Sequence, residues 1–197
     1  MTKRRDMIVE SAMRLFAEKG YDATPVSEIA SAAGVSEGAI FRHFKNKEAL
    51  LLEAFERIRS RFASYLDNVI QDAEEQGKSG MERLISLAQA FCRFFEEREI
   101  DFDNIHRNNP YQMPRIGEPC RLAMKALHDL MLEAIEDALE RGAKEGGIRF
   151  VPARETSILV LGMITGAVRL RVFHPEIHLK HLEANLLAFL GKGLEVD

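Results

Sequence analysis

The chain has two cysteines, no tryptophan and no apolar run near the roughly 18 residues a membrane span requires. Its longest candidate run, Ile158 to Ile164, is far too short and includes Gly162. Cys92 and Cys120 make neither a disulfide framework nor a metal cluster, which fits a reducing, intracellular compartment. The opening Met1-Thr2-Lys3-Arg4-Arg5-Asp6 is charged and has no apolar segment behind it, so no secretory signal is expected. Charge of one sign is lacking as well. With 27 basic and 31 acidic residues the net charge is −4, which excludes overall attraction to a polyanion. A chain of 197 residues, 46% hydrophobic and 29% charged, can bury a core and is not a disordered polymer. The expectation is a soluble, cytoplasmic, all-helical protein.

Charge becomes informative once it is divided along the chain. Residues 1–60 hold ten basic and nine acidic side chains, so the remainder is net acidic. Any contact with nucleic acid must therefore come from a local patch. Lys3, Arg4 and Arg5 form one candidate cluster, and Arg42, Lys45 and Lys47 another. Taken alone, these charges are equally well read as solvated surface.

Helical periodicity dominates. Ile8, Ala12, Leu15 and Phe16 share one helix face, and Gly20 is placed to stop that helix. Thr24 before Pro25 predicts an N-cap and a short second helix ending at Gly34. Ser36 predicts the cap of a third helix, Glu37 to Phe44, and Asn46 the cap of a long fourth one from Lys47 to about Gln76. Further helices are expected over Met81 to Arg98, Pro119 to Glu145, Ala153 to Phe173 and Pro175 to Leu190. Asp101 to Pro119, with its prolines and asparagines, predicts loops and short turns, and Ile148 to Pro152 an extended connector.

Two short helices joined by a glycine turn, Val26 to Ala33 and Ser36 to Phe44, make a helix-turn-helix. Ala30 is small where the helices cross, Gly34 permits the left-handed turn, and Ile29 and Val35 plug the space between them. Capped by Ser36, the second helix presents free N–H groups suited to phosphate.

The run Leu15-Phe16, Gly20, Thr24, Ile29-Ala30, Ala33-Gly34-Val35-Ser36, Gly38, Phe41, His43-Phe44, Lys47 and Leu50 resembles the DNA-binding domain of TetR-family transcriptional regulators over residues 7 to 52. The resemblance implies an all-α fold of about nine helices. A three-helix DNA-binding domain, 1–46, would precede a larger effector-binding and dimerisation domain, 47–197. It also implies that Ser36, Glu37, Gly38 and Ala39 face base edges in the major groove, with Phe41, Arg42 and His43 against the groove wall. Thr24, Ser36 and Lys47 would contact phosphates, and Lys3, Arg4 and Arg5 the adjacent minor groove or backbone. Phe41 stands where the family most often has tyrosine, so one phosphate-bonding hydroxyl is missing. Read without the family, Phe41 and Phe44 are core candidates, His43 can simply pack, and Glu37 is a solvated helix-start carboxylate.

Beyond residue 52 the residues themselves carry more of the reading. Phe91, Phe94, Phe95, Phe102, Tyr111, Met113 and Met124 concentrate rings and thioethers around the proline-broken segment, as adaptable apolar cavities do. His106, Asn109, Gln112, Arg121 and His128 are candidates to orient a ligand there, against the plainer reading of ordinary packing. The helix Ala153 to Phe173 is apolar nearly all round, with Gly162 and Gly166 four apart. Leu161 and Val168 on it, and Leu179, Leu182, Leu186 and Phe189 on the last helix, predict an isologous dimer interface. His174, His178 and His181 have a spacing that can bind metal, but no cysteine or carboxylate cluster completes a site, and no metal or cofactor is expected.

The reading is a homodimeric, ligand-responsive repressor whose partners are a double-stranded operator, a small-molecule effector and a second copy of itself, with no membrane. A constitutive DNA-binding dimer without effector is the alternative. An enzyme is the remote one, since no phosphate loop, GxSxG or nucleophile–base pair is present.

Overall fold

Turn chemistry sets the helix ends. A computed structural model describes residues 3–170, 173–174, 176 and 178–196, without the side chain of Leu179. The described residues form nine α-helices: α1 (Lys3–Lys19), α2 (Val26–Ala32), α3 (Glu37–His43), α4 (Lys47–Glu75), α5 (Gly80–Glu97), α6 (Glu99–Arg107), α7 (Glu118–Glu145), α8 (Ala153–Leu170) and α9 (Leu179–Leu194). A 3-10 turn, Pro110–Gln112, precedes α7. The connector after α7 makes a single antiparallel bridge, Ile148 to Glu195, and there is no strand among the described residues. No helix is long and apolar enough to cross a membrane among the described residues.

The chain divides into two compact units, residues 1–61 with 98–127, and residues 62–97 with 128–197. Helix α6 belongs to the first unit. Phe102 and Ile105 are buried, and Asn104 and Asn108 donate their side-chain amides to Met13 O at 2.8 Å and Phe16 O at 3.1 Å on α1. The loop expected over residues 101–107 is therefore a helix. The prolines that suggested a loop begin only at Pro110, and acidic residues in the first turn with His106 and Arg107 in the last suit the helix dipole. The expected cap at Thr24 also moves by one residue. Pro25 occupies the cap position, while Thr24 is fully buried and donates its hydroxyl to Gly20 O at 2.7 Å. The last helix begins at Leu179; the expected start at Pro175 lies outside the described residues.

In the second unit the core is aromatic. Phe62 packs against Phe91 and Phe94 with ring centroids 5.2 and 4.9 Å apart, and Tyr65 lies against Phe94 at 5.4 Å. Helix α5 opens with a reciprocal cap in which Ser79 N donates to Glu82 Oε2 at 2.8 Å and Glu82 N to Ser79 Oγ at 3.3 Å. The next residue, Gly80, lies so close to α7 that a Cβ there would stand 2.1 Å from Gly142 N. Cys92 and Cys120 are free and buried, and burial pushes their thiols up to about 11 and about 12, which leaves them unreactive.

Candidate nucleic-acid interface

Two short helices are held at a fixed crossing in the first unit by one turn. At the end of α2, Val35 N donates to Ala30 O at 3.0 Å and Gly34 N to Ser31 O at 3.1 Å, with Gly34 at φ +65°. That paired arrangement closes a helix through a left-handed residue, where any side chain would be strained. Ser36 then caps α3, its Oγ accepting from Ala39 N at 3.2 Å. Ile29, Ala30, Ala39 and Ile40 are buried between the helices. Facing inward, Ala39 does not present itself to a base edge as the resemblance implied. Phe44 is core.

The outer face of α3 is open. Ser36, Glu37, Gly38, Arg42 and His43 are exposed, and Phe41 is 49% exposed despite its size. Lys45 follows, also exposed. Lys3 and Arg4 are exposed at the start of α1.

Pairing separates the cations into two groups. Arg5 grips Glu53 with both terminal nitrogens, at 2.8 and 2.6 Å, and lies 5.0 Å above the Phe44 ring. Hydrogen bonding from Arg5 holds the Glu53 carboxyl below the usual carboxylate range. Arg57 reaches Asp6 at 2.5 Å and Glu10 at 3.2 Å, and Arg61 reaches Glu10 and the buried Asp101, at 2.5 and 3.1 Å. These bonds tie α1, α4 and α6 together. By contrast, Lys3, Arg4, Arg42 and Lys45 have no ion pair or hydrogen bond from their side chains among the described residues. Unpaired positive charge thus lies on α3, just after it and at the head of α1, besides exposed cations elsewhere such as Arg14 and Arg115. Arg5, expected on DNA, is committed within the unit.

Lys47 and Thr24 also differ from the implied phosphate contacts. The Lys47 ammonium donates to Tyr21 O at 2.8 Å and Thr24 O at 3.0 Å, and sits 4.3 Å above the Tyr21 ring. Burial lowers its pKa. Two of its three N–H bonds brace the loop between α1 and α2, so its first role is to hold α4 to the helix-turn-helix. Asn46, capping α4 through Ala49 N at 2.9 Å, performs the role read from the sequence. The bracing residues missed in the sequence, Tyr21 and Asn108, join at 2.7 Å between Tyr21 N and Asn108 Oδ1; a polar residue at helical spacing from Asn104 was the only signal for Asn108.

The expected ligand-contact residues fall in both units. Phe91, Phe94 and Phe95 belong to the buried aromatic cluster of the second unit, with His128 half-buried on α7. Phe102, His106, Tyr111, Met113, Arg121 and Met124 belong to the first unit. There Phe102 packs against His106 with ring centroids 4.0 Å apart, Arg121 donates to Ile116 O at 2.5 Å, Tyr111 is exposed, Met113 is half-buried and Met124 is buried. A pocket of about 260 Å³ does exist, wholly in the second unit, lined by residues of α4, α5 and α7 and by none of those ten. Of the expected dimer residues, Leu161, Val168 and Leu186 are buried within the chain, Leu182 is half-buried and Phe189 is 74% exposed. Leu179's side chain lies outside the described residues. His174 is 3.3 Å from Glu176, and no group of three metal-ligating side chains forms among the described residues.

Residues 8–54 match the family described as bacterial regulatory proteins, tetR family. The chain is 30% identical over 191 residues to the fatty acid metabolism regulator protein of Bacillus subtilis, covering 95% of this chain and 93% of that one. It is 43% identical over 72 residues to an uncharacterised HTH-type transcriptional regulator, YerO, of the same species, but spans only 25% of YerO's length. The fold is that of the transcriptional regulator FadR from Bacillus subtilis in complex with stearoyl-CoA (TM-score 0.78, 22% identity, 96% and 98% of the two chains). It is equally that of AibR in complex with isovaleryl coenzyme A and operator DNA (TM-score 0.78, 22% identity, 95% and 97%).

Proposed function

Because the chain belongs to the tetR family of bacterial regulatory proteins, we propose that it is a homodimeric transcriptional repressor, released from a pseudo-palindromic operator by a small apolar or amphipathic effector. Residues 1–46 make the DNA contact, and residues 47–197 bind the effector and dimerise. The observation that carries this reading is the outer face of α3. It leaves Ser36, Glu37, Gly38, Phe41, Arg42 and His43 exposed, while Asp6, Glu10 and Glu53 are paired with Arg5, Arg57 and Arg61.

Each α3 enters a major groove. Ser36, Glu37 and Gly38 lie at its leading end, and Glu37 is placed to accept from a cytosine amine. Arg42, Lys45, Lys3 and Arg4 meet phosphates. Two copies reach half-sites about 34–36 Å apart, so a shift of a few ångströms between the two α3 helices takes them out of register. Helix α4 has residues in both units and is the lever for that shift. The second copy docks on α8, where Leu159, Gly162, Met163, Gly166 and Leu170 recur at helical spacing on one side. Three of these are exposed large hydrophobics, and a Cβ on either glycine would meet nothing within 4 Å. Effector control is supported by a relative named for fatty acid metabolism and by two fold neighbours holding acyl-coenzyme A.

The test is binding to the DNA upstream of the protein's own gene across a salt series. Arg42→Ala is expected to weaken binding on every sequence by a similar factor and to reduce the salt slope by roughly 0.9, the signature of one lost phosphate contact. A loss confined to one base pair would instead assign Arg42 to base readout. Lys47→Ala is a less clean test, because it also removes the brace to Tyr21 O and Thr24 O and is expected to lower the melting temperature.

A further inference from the structure

The pocket in the second unit holds an arginine in an unusual state. Its walls are apolar, formed by Leu66, Val69, Ile70, Leu87, Leu130 and Ala134. Arg83 also lines it and is only 6% exposed. Its Nε donates to Lys78 O at 3.0 Å, while Nη1 stands 3.7 Å from the exposed Glu74 carboxylate, beyond hydrogen-bond reach. The two terminal nitrogens make no hydrogen bond among the described residues. The guanidinium is ion-paired with Glu74 and its charge also reaches the Glu145 carboxylate, but its terminal nitrogens lack a hydrogen-bond acceptor among the described residues, and an incoming anion with two oxygens in one plane matches that fork. One helical turn further on, Ser86 lines the same pocket. Its oxygen accepts from Lys78 Nζ at 2.9 Å, so its own hydroxyl hydrogen remains to donate.

The remaining charges on the lining are Asp67, Glu133 and Asp137, all exposed and without ion pairs among the described residues. Water screens them, so they weigh less on a buried group than Arg83 does. They do face anything that extends out of the mouth, and a string of phosphates there would meet three carboxylates. Size points the same way. At roughly 30 Å³ per water-sized group, a space of about 260 Å³ takes about nine heavy atoms.

Resting on the reading of this chain as an effector-controlled regulator, we propose that this pocket binds a free medium-chain monocarboxylic acid. The carboxylate takes the Arg83 fork and the Ser86 hydroxyl, and the hydrocarbon lies against Leu66, Ile70 and Leu130. The ligand is the acid, and its coenzyme A thioester is disfavoured.

Titration calorimetry of the full chain with octanoate, 1-octanol, octylamine and octanoyl-coenzyme A at constant ionic strength tests this. Octanoate is expected to bind at least tenfold more tightly than each of the other three. Arg83→Gln is expected to bring octanoate down to the affinity of octanol and to leave octanol within threefold of its original value. If Arg83→Gln does not fold, the order of the four ligands on the unaltered protein decides. Octanol or octylamine matching octanoate, tighter binding of the thioester, or no heat from millimolar octanoate overturns the proposal. Operator binding is measured in parallel. A protein that binds operator but not octanoate loses this site and remains a regulator. One that binds octanoate with no effect on operator keeps the site and loses effector control.

Discussion

Replacing Leu159 and Phe189 together by glutamate is expected to give a folded monomer that has lost at least a hundredfold in operator affinity. Both side chains are largely exposed on the single chain, Leu159 at 66% and Phe189 at 74%, so the substitutions remove no core packing. In an isologous interface each change enters twice, and the four carboxylates would be buried against apolar surface without partners. The helix carrying Leu159 already includes Gly162 and Gly166, each of which costs about 1 kcal/mol relative to alanine, and close approach of a second helix would offset them. A monomer contacts one half-site only, which accounts for the size of the loss. Light scattering checks the mass and fluorescence anisotropy with labelled operator checks the affinity. A stable dimer from the double variant would place the interface elsewhere. Glutamate at Leu186 would be a poor substitute, because Leu186 is buried within its own chain and the variant would be damaged before any partner was lost.

Gly80→Ala is expected to be the most destabilising single-methyl change in the second unit. The new Cβ would lie 2.1 Å from Gly142 N, 2.3 Å from Gly142 Cα and 2.7 Å from Ala138 O. All three are backbone atoms of α7, which cannot rotate away as a side-chain end can, so α5 and α7 must separate. Overpacking of this kind costs about 3 kcal/mol, which for a chain of this size lowers the melting temperature by roughly 6–12 °C. Gly142→Ala is expected to do less, since its Cβ would meet the flexible end of Ile148. Thermal unfolding followed by circular dichroism compares the two. Equal melting temperatures for Gly80→Ala and the unaltered protein would mean that the close crossing is not rigid.

Much of this architecture was legible in the sequence because its signals are local. The cap at Ser36, the left-handed turn at Gly34, the cap at Asn46 and the apolar face of α1 all act within a few residues, and each formed where expected. What the sequence did not announce depended mostly on partners distant in sequence. Helix α6 was hidden because prolines from Pro110 onward were weighed against residues that precede them, while the bonds from Asn104 and Asn108 to α1 span about ninety residues. The family resemblance implies phosphate contacts for Thr24 and Lys47, and it does not announce their partners within the chain. Their actual acceptors, Gly20 O, Tyr21 O and Thr24 O, are backbone groups that no residue pattern announces.

Clustered rings and methionines suggested the wall of a cavity, yet Phe91, Phe94 and Phe95 pack with Phe62 and Tyr65 into core. Burial of a ring satisfies its apolar surface whether the neighbour is ligand or protein, so composition does not separate the two. Arg83 carried a better signal. It is a single charge at helical spacing from Leu87 and Ala90 on the inner face of α5, and a lone charge on an apolar face calls for a partner.

The central claim is a two-fold, sequence-specific contact with duplex DNA made by the outer face of α3. Selection of bound duplexes from a random pool by the full-length protein tests it most directly. The expected product is an inverted repeat whose half-sites are centred about one helical turn apart, and Glu37→Ala is expected to relax preference at one base pair in each half-site. Enrichment of a single asymmetric site, or of no sequence at all, would contradict it.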